Sequence, residues 1–118
     1  MQERTIYRFD VWEACLPINK GSHVQSGRRP VVVVSNNIAN AHSPVVTVVP
    51  LTSNTSKGRL PTHVLLVSEG LSSISLALCE QILSIDKSRL THRIGRVCEP
   101  LDRSALNRAM AIQLGMVA

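Results

Sequence analysis

Short apolar runs alternate with polar loops along most of the chain, and only the last segment changes period. Asp10-Val11-Trp12-Glu13-Ala14-Cys15-Leu16 alternates imperfectly and predicts a first strand. Pro17 to Gly27 holds Pro, Asn, two Gly and two Ser, a loop long enough to suggest function. Pro30 to Val34 is a β-branched run, the pattern of a strand buried on both faces, with Pro30 tolerated at its start. Ile38 to His42 fits one helical turn. Val45 to Val49 is a second β-branched run, closed by Pro50, and Leu51 to Pro61 is a second polar loop. His63–Val67 and Ile74–Leu78 read as further strands, and Ile82–Ile85 and His92–Val97 carry a fainter strand pattern. Leu101, Ala105, Ala109 and Ile112 then recur near helical spacing, as do Leu106, Met110, Leu114 and Val117. Asp102 is the expected N-cap and Gly115 the expected stop. Short strands followed by one amphipathic helix predict a mainly β fold with a C-terminal α-helix, a small curved barrel or sandwich.

Composition narrows the class. The 118 residues suit one domain spanning 1–118. Hydrophobic residues at 44% exclude a disordered chain. Charged residues at 18%, below the usual ~25%, point to surface hidden in a homo-oligomer. No apolar run approaches the ~18 residues of a membrane helix. The polar opening Met1-Gln2-Glu3-Arg4 lacks the apolar stretch of a signal peptide, so a cytoplasmic protein is expected. The net charge is +5, and of thirteen basic residues only Lys20, Lys57 and Lys87 are lysine. Arginine suits bidentate contact with phosphate, so the charge fits a nucleic acid or an acidic protein, or simply solubility. Cys15, Cys79 and Cys98 are odd in number and widely spaced, and read as small reduced hydrophobes. No metal or cofactor motif appears: no CxxC, HExxH, P-loop, dinucleotide fingerprint or GxSxG.

Two loops carry the candidate chemistry. One ends Ser26-Gly27-Arg28-Arg29-Pro30 and the other opens Pro50-Leu51-Thr52-Ser53-Asn54, each at the mouth of a β-branched strand. If those strands pair, an arginine fork and a threonine hydroxyl could meet, a combination that suits a phosphate. The plain alternative is a surface arginine beside a turn threonine. Arg93, Arg96 and Arg103 could add a basic face or simply be solvated. His42, His63 and His92 read as loop, strand-edge and surface residues, and Trp12 as core.

Five segments in order resemble the MazF/PemK family of toxin endoribonucleases. They are Arg8-Phe9-Asp10-Val11-Trp12, the stretch Gly21 to Asn36 containing Arg29-Pro30-Val31-Val32-Val33-Val34-Ser35, Val46 to Ser53, Arg59-Leu60-Pro61-Thr62-His63-Val64, and Cys79 to Leu90. The likeness runs from about Asp10 to Leu114. It implies an SH3-like small barrel with a C-terminal helix, a homodimer, and metal-independent, cofactor-free cleavage of single-stranded RNA or mRNA. It further implies an acidic cognate antitoxin as partner. Residue by residue, it makes Arg29 and Thr52 catalytic and places Gln81 near substrate. Ser22, His23, Gln25, Arg28, Ser53 and Lys57, in the same two loops, are the expected substrate-binding residues. The chain departs from the family where His23 or Val24 replaces a loop glutamate, and where Phe9 replaces a glycine.

Two other readings stay open. One is a toxin of the same barrel type that binds a protein target, as the gyrase poisons of the CcdB group do through a helix ending in Trp. The ending Leu114-Gly115-Met116-Val117-Ala118 has none. The other is a catalytically inactive RNA-binding barrel.

Overall fold

A computed structural model describes residues 4–18, 20–56, 60–71 and 74–117. Among them run β1 (Asp10–Leu16), β2 (Gly27–Val33), the short helix α1 (Asn37–His42), β3 (Val45–Thr52), β4 (His63–Leu66), β5 (Ser75–Leu78), β6 (Leu83–Asp86), β7 (Leu90–Arg96) and α2 (Pro100–Gln113). Single 3-10 turns, Cys79–Gln81 and Lys87–Arg89, flank β6. The strands are antiparallel, in the order β4-β5-β3-β2-β1-β7, with β6 also on β3. The architecture is the expected one, a curved antiparallel sheet with a C-terminal helix.

The shape follows from β3. Its first half pairs with β6 through Val45–Val48, and its end pairs with β5 through Leu51 and Thr52. On the other side, Val31, Val32 and Val33 of β2 meet Pro50, Val49 and Val48. The strand therefore runs through Pro50 instead of ending there, and it changes partners where that proline supplies no N–H. β2 likewise begins earlier than its β-branched run predicts. Gly27–Pro30 pair only with β1, so Pro30 sits where its missing N–H breaks no ladder toward β3. As a result Arg28 and Arg29 lie on a strand rather than in the loop before it.

Both sheet faces are apolar, which explains the unbroken valine run. Val32, Val49, Leu51, Val64 and Leu66 form one cluster with Leu106, Ala109 and Met110 of α2. Trp12, Ala14, Val31, Val33, Val46, Val48, Ile85 and Leu90 form the other, closed by Ile6. Arg4 ties down that N-terminal segment, donating to the Leu90 carbonyl and to the Lys87 carbonyl at 2.7 Å, and lying over the Trp12 ring.

Phe9 and Gly95 occupy demanding backbone positions. Phe9 has φ +72, at the position where the family resemblance places a glycine. A non-glycine residue there costs roughly 1–2 kcal/mol; the buried ring, stacked under Arg8 and Arg103, offsets it. Gly95 admits the Glu69 carbonyl so closely that a Cβ would lie 1.7 Å from its oxygen.

α2 starts one turn earlier than expected, with Pro100 as its first residue. Asp102 lies in the first turn, where the helix dipole favours its charge, not at the cap. Gly115 turns the chain out at φ +71, as predicted. The buried stripe is narrower than the periodicity suggested: Leu106, Ala109 and Met110 are inside, whereas Leu101, Leu114 and Val117 are exposed.

Candidate active site

Arg29 and Thr52 lie just beyond the last β2–β3 pair, Val31 with Pro50, two residues outward on each strand. Both then share the face of Val31 and Pro50, because strand side chains alternate. Arg29 is exposed, and its Nε donates to the Ser26 carbonyl at 3.2 Å. Among the described residues it makes no ion pair, so its charge is uncompensated. Thr52 is buried, and its Oγ1 accepts the Asn54 N–H at 3.1 Å. That bond fixes the oxygen and leaves the hydroxyl proton free to donate.

Arg28 points elsewhere. It pairs with Glu13 at 3.1 Å and, with Arg89, edges an open groove of about 570 Å³ lined by Cys15, Leu16, Pro17, Ile18 and Gly27.

The Pro17–Gly27 loop is held from the side by Gln81. The Gln25 N–H donates to Gln81 Oε1 at 2.7 Å, and Gln81 Nε2 donates to the His23 carbonyl at 3.4 Å. His23 and Ser22 are exposed, Ser22 Oγ accepting the Val24 N–H at 3.1 Å. Ser53 is exposed beside Thr52. Lys57 lies outside the described residues.

The residue before Gln81 grips the other loop. Glu80 Oε2 lies 2.8 Å from His63 Nε2, and Glu80 Oε1 accepts the Thr62 hydroxyl at 3.3 Å. The Cys79 N–H donates to the Thr62 carbonyl at 3.0 Å. The Cys79–Gln81 turn therefore anchors both loops. Burial, then the neighbouring Glu80 charge, pushes the Cys79 thiol up to about 12, so it stays neutral in the turn. His63 and Glu80 escaped the sequence reading because a pair 17 positions apart leaves no periodic signal, although both residues fall inside the family-like segments.

The arginines that could form a basic face or simply be solvated are partly engaged. Arg93 Nε reaches buried Asp10 at 3.4 Å, Arg96 lies over the Tyr7 ring, and Arg103 Nε donates to the Val97 carbonyl at 2.7 Å. His92 and His42 are exposed, and Trp12 is buried. The three cysteines are free thiols. Among the described residues no group of three His, Cys, Asp or Glu side chains could hold a metal.

Residues 7–114 match the family described as PemK-like, MazF-like toxin of type II toxin-antitoxin system. The chain is 37% identical over 114 residues to Endoribonuclease EndoA of Bacillus subtilis, covering 95% of this chain and 97% of that one. It is 36% identical over 111 residues to Endoribonuclease MazF of Staphylococcus saprophyticus, covering 92% and 91%. A mycobacterial endoribonuclease, solved in complex with its cognate antitoxin, superposes with a TM-score of 0.75 at 27% identity, over 96% of this chain and 98% of that one.

Proposed function

The chain belongs to the PemK-like, MazF-like toxins of type II toxin–antitoxin systems, and on that premise we propose that Arg29 and Thr52 form its catalytic pair. The protein is the toxin of such a pair, an endoribonuclease that cuts single-stranded RNA and is neutralised by a cognate antitoxin. It acts as a homodimer in the cytoplasm, as one domain over residues 1–118. No helix among the described residues is long and apolar enough to cross a membrane.

What supports the catalytic assignment is the strand alternation that puts Arg29 on the face of Val31 and Thr52 on the face of its partner Pro50, with one uncompensated charge and one oriented hydroxyl. RNA can supply its own nucleophile. The 2′-oxygen attacks phosphorus and loses its proton, the P–O5′ bond breaks, and the 5′-oxygen takes up a proton. The protein's task is to align that attack and hold the extra negative charge on the phosphate oxygens. The Arg29 guanidinium supplies charge, and the Thr52 hydroxyl donates one hydrogen bond. Gln81 sets the loop carrying Ser22, His23 and Gln25 against the RNA, and Ser53 and Lys57 contact its backbone, whereas Arg28, turned to Glu13, stands away from the Arg29–Thr52 face. No metal and no cofactor takes part.

End-mapping of a long single-stranded RNA cut in the presence of EDTA tests this. Products with 2′,3′-cyclic phosphate and 5′-hydroxyl ends, at the rate seen without EDTA, are expected. Strict Mg²⁺ dependence or 5′-phosphate ends would refute the mechanism. RNA bound but left whole would identify an inactive barrel.

A further inference from the structure

Gln81 uses both ends of its amide on the backbone of one short stretch. Its Oε1 accepts the Gln25 N–H at 2.7 Å, and its Nε2 donates to the His23 carbonyl at 3.4 Å. A backbone N–H can only donate, so the oxygen of the amide must be the end that faces Gln25. One residue further along, the Ser26 carbonyl accepts from Arg29 Nε at 3.2 Å. Ser26 therefore stands between two fixed neighbours. Gln25 is tied to Gln81 on one side. On the other, Gly27 opens β2 opposite Leu16 with φ +74, a conformation that glycine adopts without strain. With both neighbours set, few torsions remain to swing the Ser26 carbonyl away from Arg29.

We propose that Gln81 is a positioning residue for Arg29, acting through the Gln25–Ser26 backbone and not by touching RNA. The inference rests on Arg29 acting in cleavage. The five N–H groups of a guanidinium lie in one plane, so a bond at Nε also restrains the four on the terminal nitrogens, the ones left for a phosphate. Without that bond an exposed arginine samples many rotamers, and a charge displaced from the phosphate loses its effect on the rate.

The turn that carries Gln81 is itself pinned. The Cys79 N–H donates to the Thr62 carbonyl at 3.0 Å, and the Ile82 N–H to the Cys79 carbonyl at 3.3 Å. Glu80 holds the same turn from its own side chain, through the Thr62 hydroxyl and His63. The path from the turn to Arg29 then runs through three residues in direct contact or sequence, Gln81, Gln25 and Ser26.

Two measurements test the relay. The first needs no RNA. The Arg29 Nε–H gives a ¹H–¹⁵N signal, identified by its loss in Arg29→Ala. It should exchange slowly with water in wild type and in Gln81→Glu, which keeps the acceptor for Gln25. In Gln81→Ala it should exchange fast, with the amide signals of β1 and β3 in place. The second is single-turnover cleavage of one short RNA at saturating protein, where weaker RNA binding by the rest of the loop does not enter. Gln81→Ala should be slower than wild type by about 10- to 10²-fold, as expected when a catalytic group is misplaced. Added to Arg29→Ala, the same substitution should change the rate by no more than about 2-fold, because the group it places is gone. Losses that multiply in the double variant would mean that Gln81 meets the RNA itself, and would overturn the inference. So would an Arg29 Nε–H unmoved in Gln81→Ala, or a Gln81→Ala protein at wild-type rate. An Arg29→Ala protein as fast as wild type, or a wild type that cuts no RNA, would instead overturn the Arg29 assignment, and this inference with it.

Discussion

Arg29 and Thr52 differ in what the protein invests in them, and their substitutions should differ accordingly. Arg29 is exposed and held by one carbonyl, so removing it disturbs little of the fold. Its charge acts where the phosphate gains charge, and Arg29→Ala should lower the cleavage rate by at least ~10² with unfolding unchanged. Thr52 is buried and also receives the Asn54 N–H. Thr52→Val keeps the volume and loses the hydroxyl, and should lower the rate by about 10–10²-fold, the worth of a hydrogen bond to a charged group. Thr52→Ser, which keeps both bonds, should stay near wild type. Single-turnover kinetics with urea unfolding on each variant checks the set. Equal rates for Arg29→Ala and wild type would end the assignment. Both residues were readable in the sequence because the family-like segments carry them, Arg29 directly before Pro30 and Thr52 two positions after Pro50. Their shared face was not readable, since it depends on pairing Val31 with Pro50.

At the scale of elements, the Cys79–Gln81 turn does what no strand does: it ties two loops to one place. Gln81 both accepts from the Gln25 N–H and donates to the His23 carbonyl. Gln81→Glu keeps the first bond and loses the second, and Gln81→Ala loses both. Cleavage should fall in the order wild type, Gln81→Glu, Gln81→Ala. Hydrogen exchange at the Gln25 amide should speed up in Gln81→Ala alone, and fast exchange in Gln81→Glu as well would refute the assignment of that bond. The elements themselves were largely legible. β1 matches its expected bounds, and the valine runs of β2 and β3 are buried as their composition required, apart from Val45 at the exposed start of β3. The errors cluster at prolines. Pro30 and Pro50 were read as strand ends, yet each lies within a strand at a point where one neighbour makes no ladder bond. Sequence shows that a proline lacks an N–H; only topology shows whether a partner needed it. The helix start was misplaced for a similar reason, Pro100 being a better first residue than Asp102 is a cap.

For the whole molecule, net charge sets the competition between substrate and partner. The chain carries +5, and Arg29 remains without a carboxylate among the described residues. A surface of that kind attracts phosphates and carboxylates by the same field, so an acidic, disordered antitoxin segment should lie where RNA lies. Two consequences separate this from inhibition at a distance. RNA affinity should fall with salt, by about 0.7 in log K per log unit of salt for each phosphate held by a basic side chain. Antitoxin should also displace RNA rather than join it. An RNA carrying a 2′-deoxy sugar at the cut site binds without being cleaved, because the attacking oxygen is gone. Titrating antitoxin into the fluorescently labelled complex of toxin and that RNA should return the RNA to its free anisotropy. The antitoxin concentration needed should rise in proportion to added unlabelled RNA. A stable ternary complex, inhibited yet still holding the RNA, would show that the antitoxin works from another surface and that shared charge does not explain neutralisation.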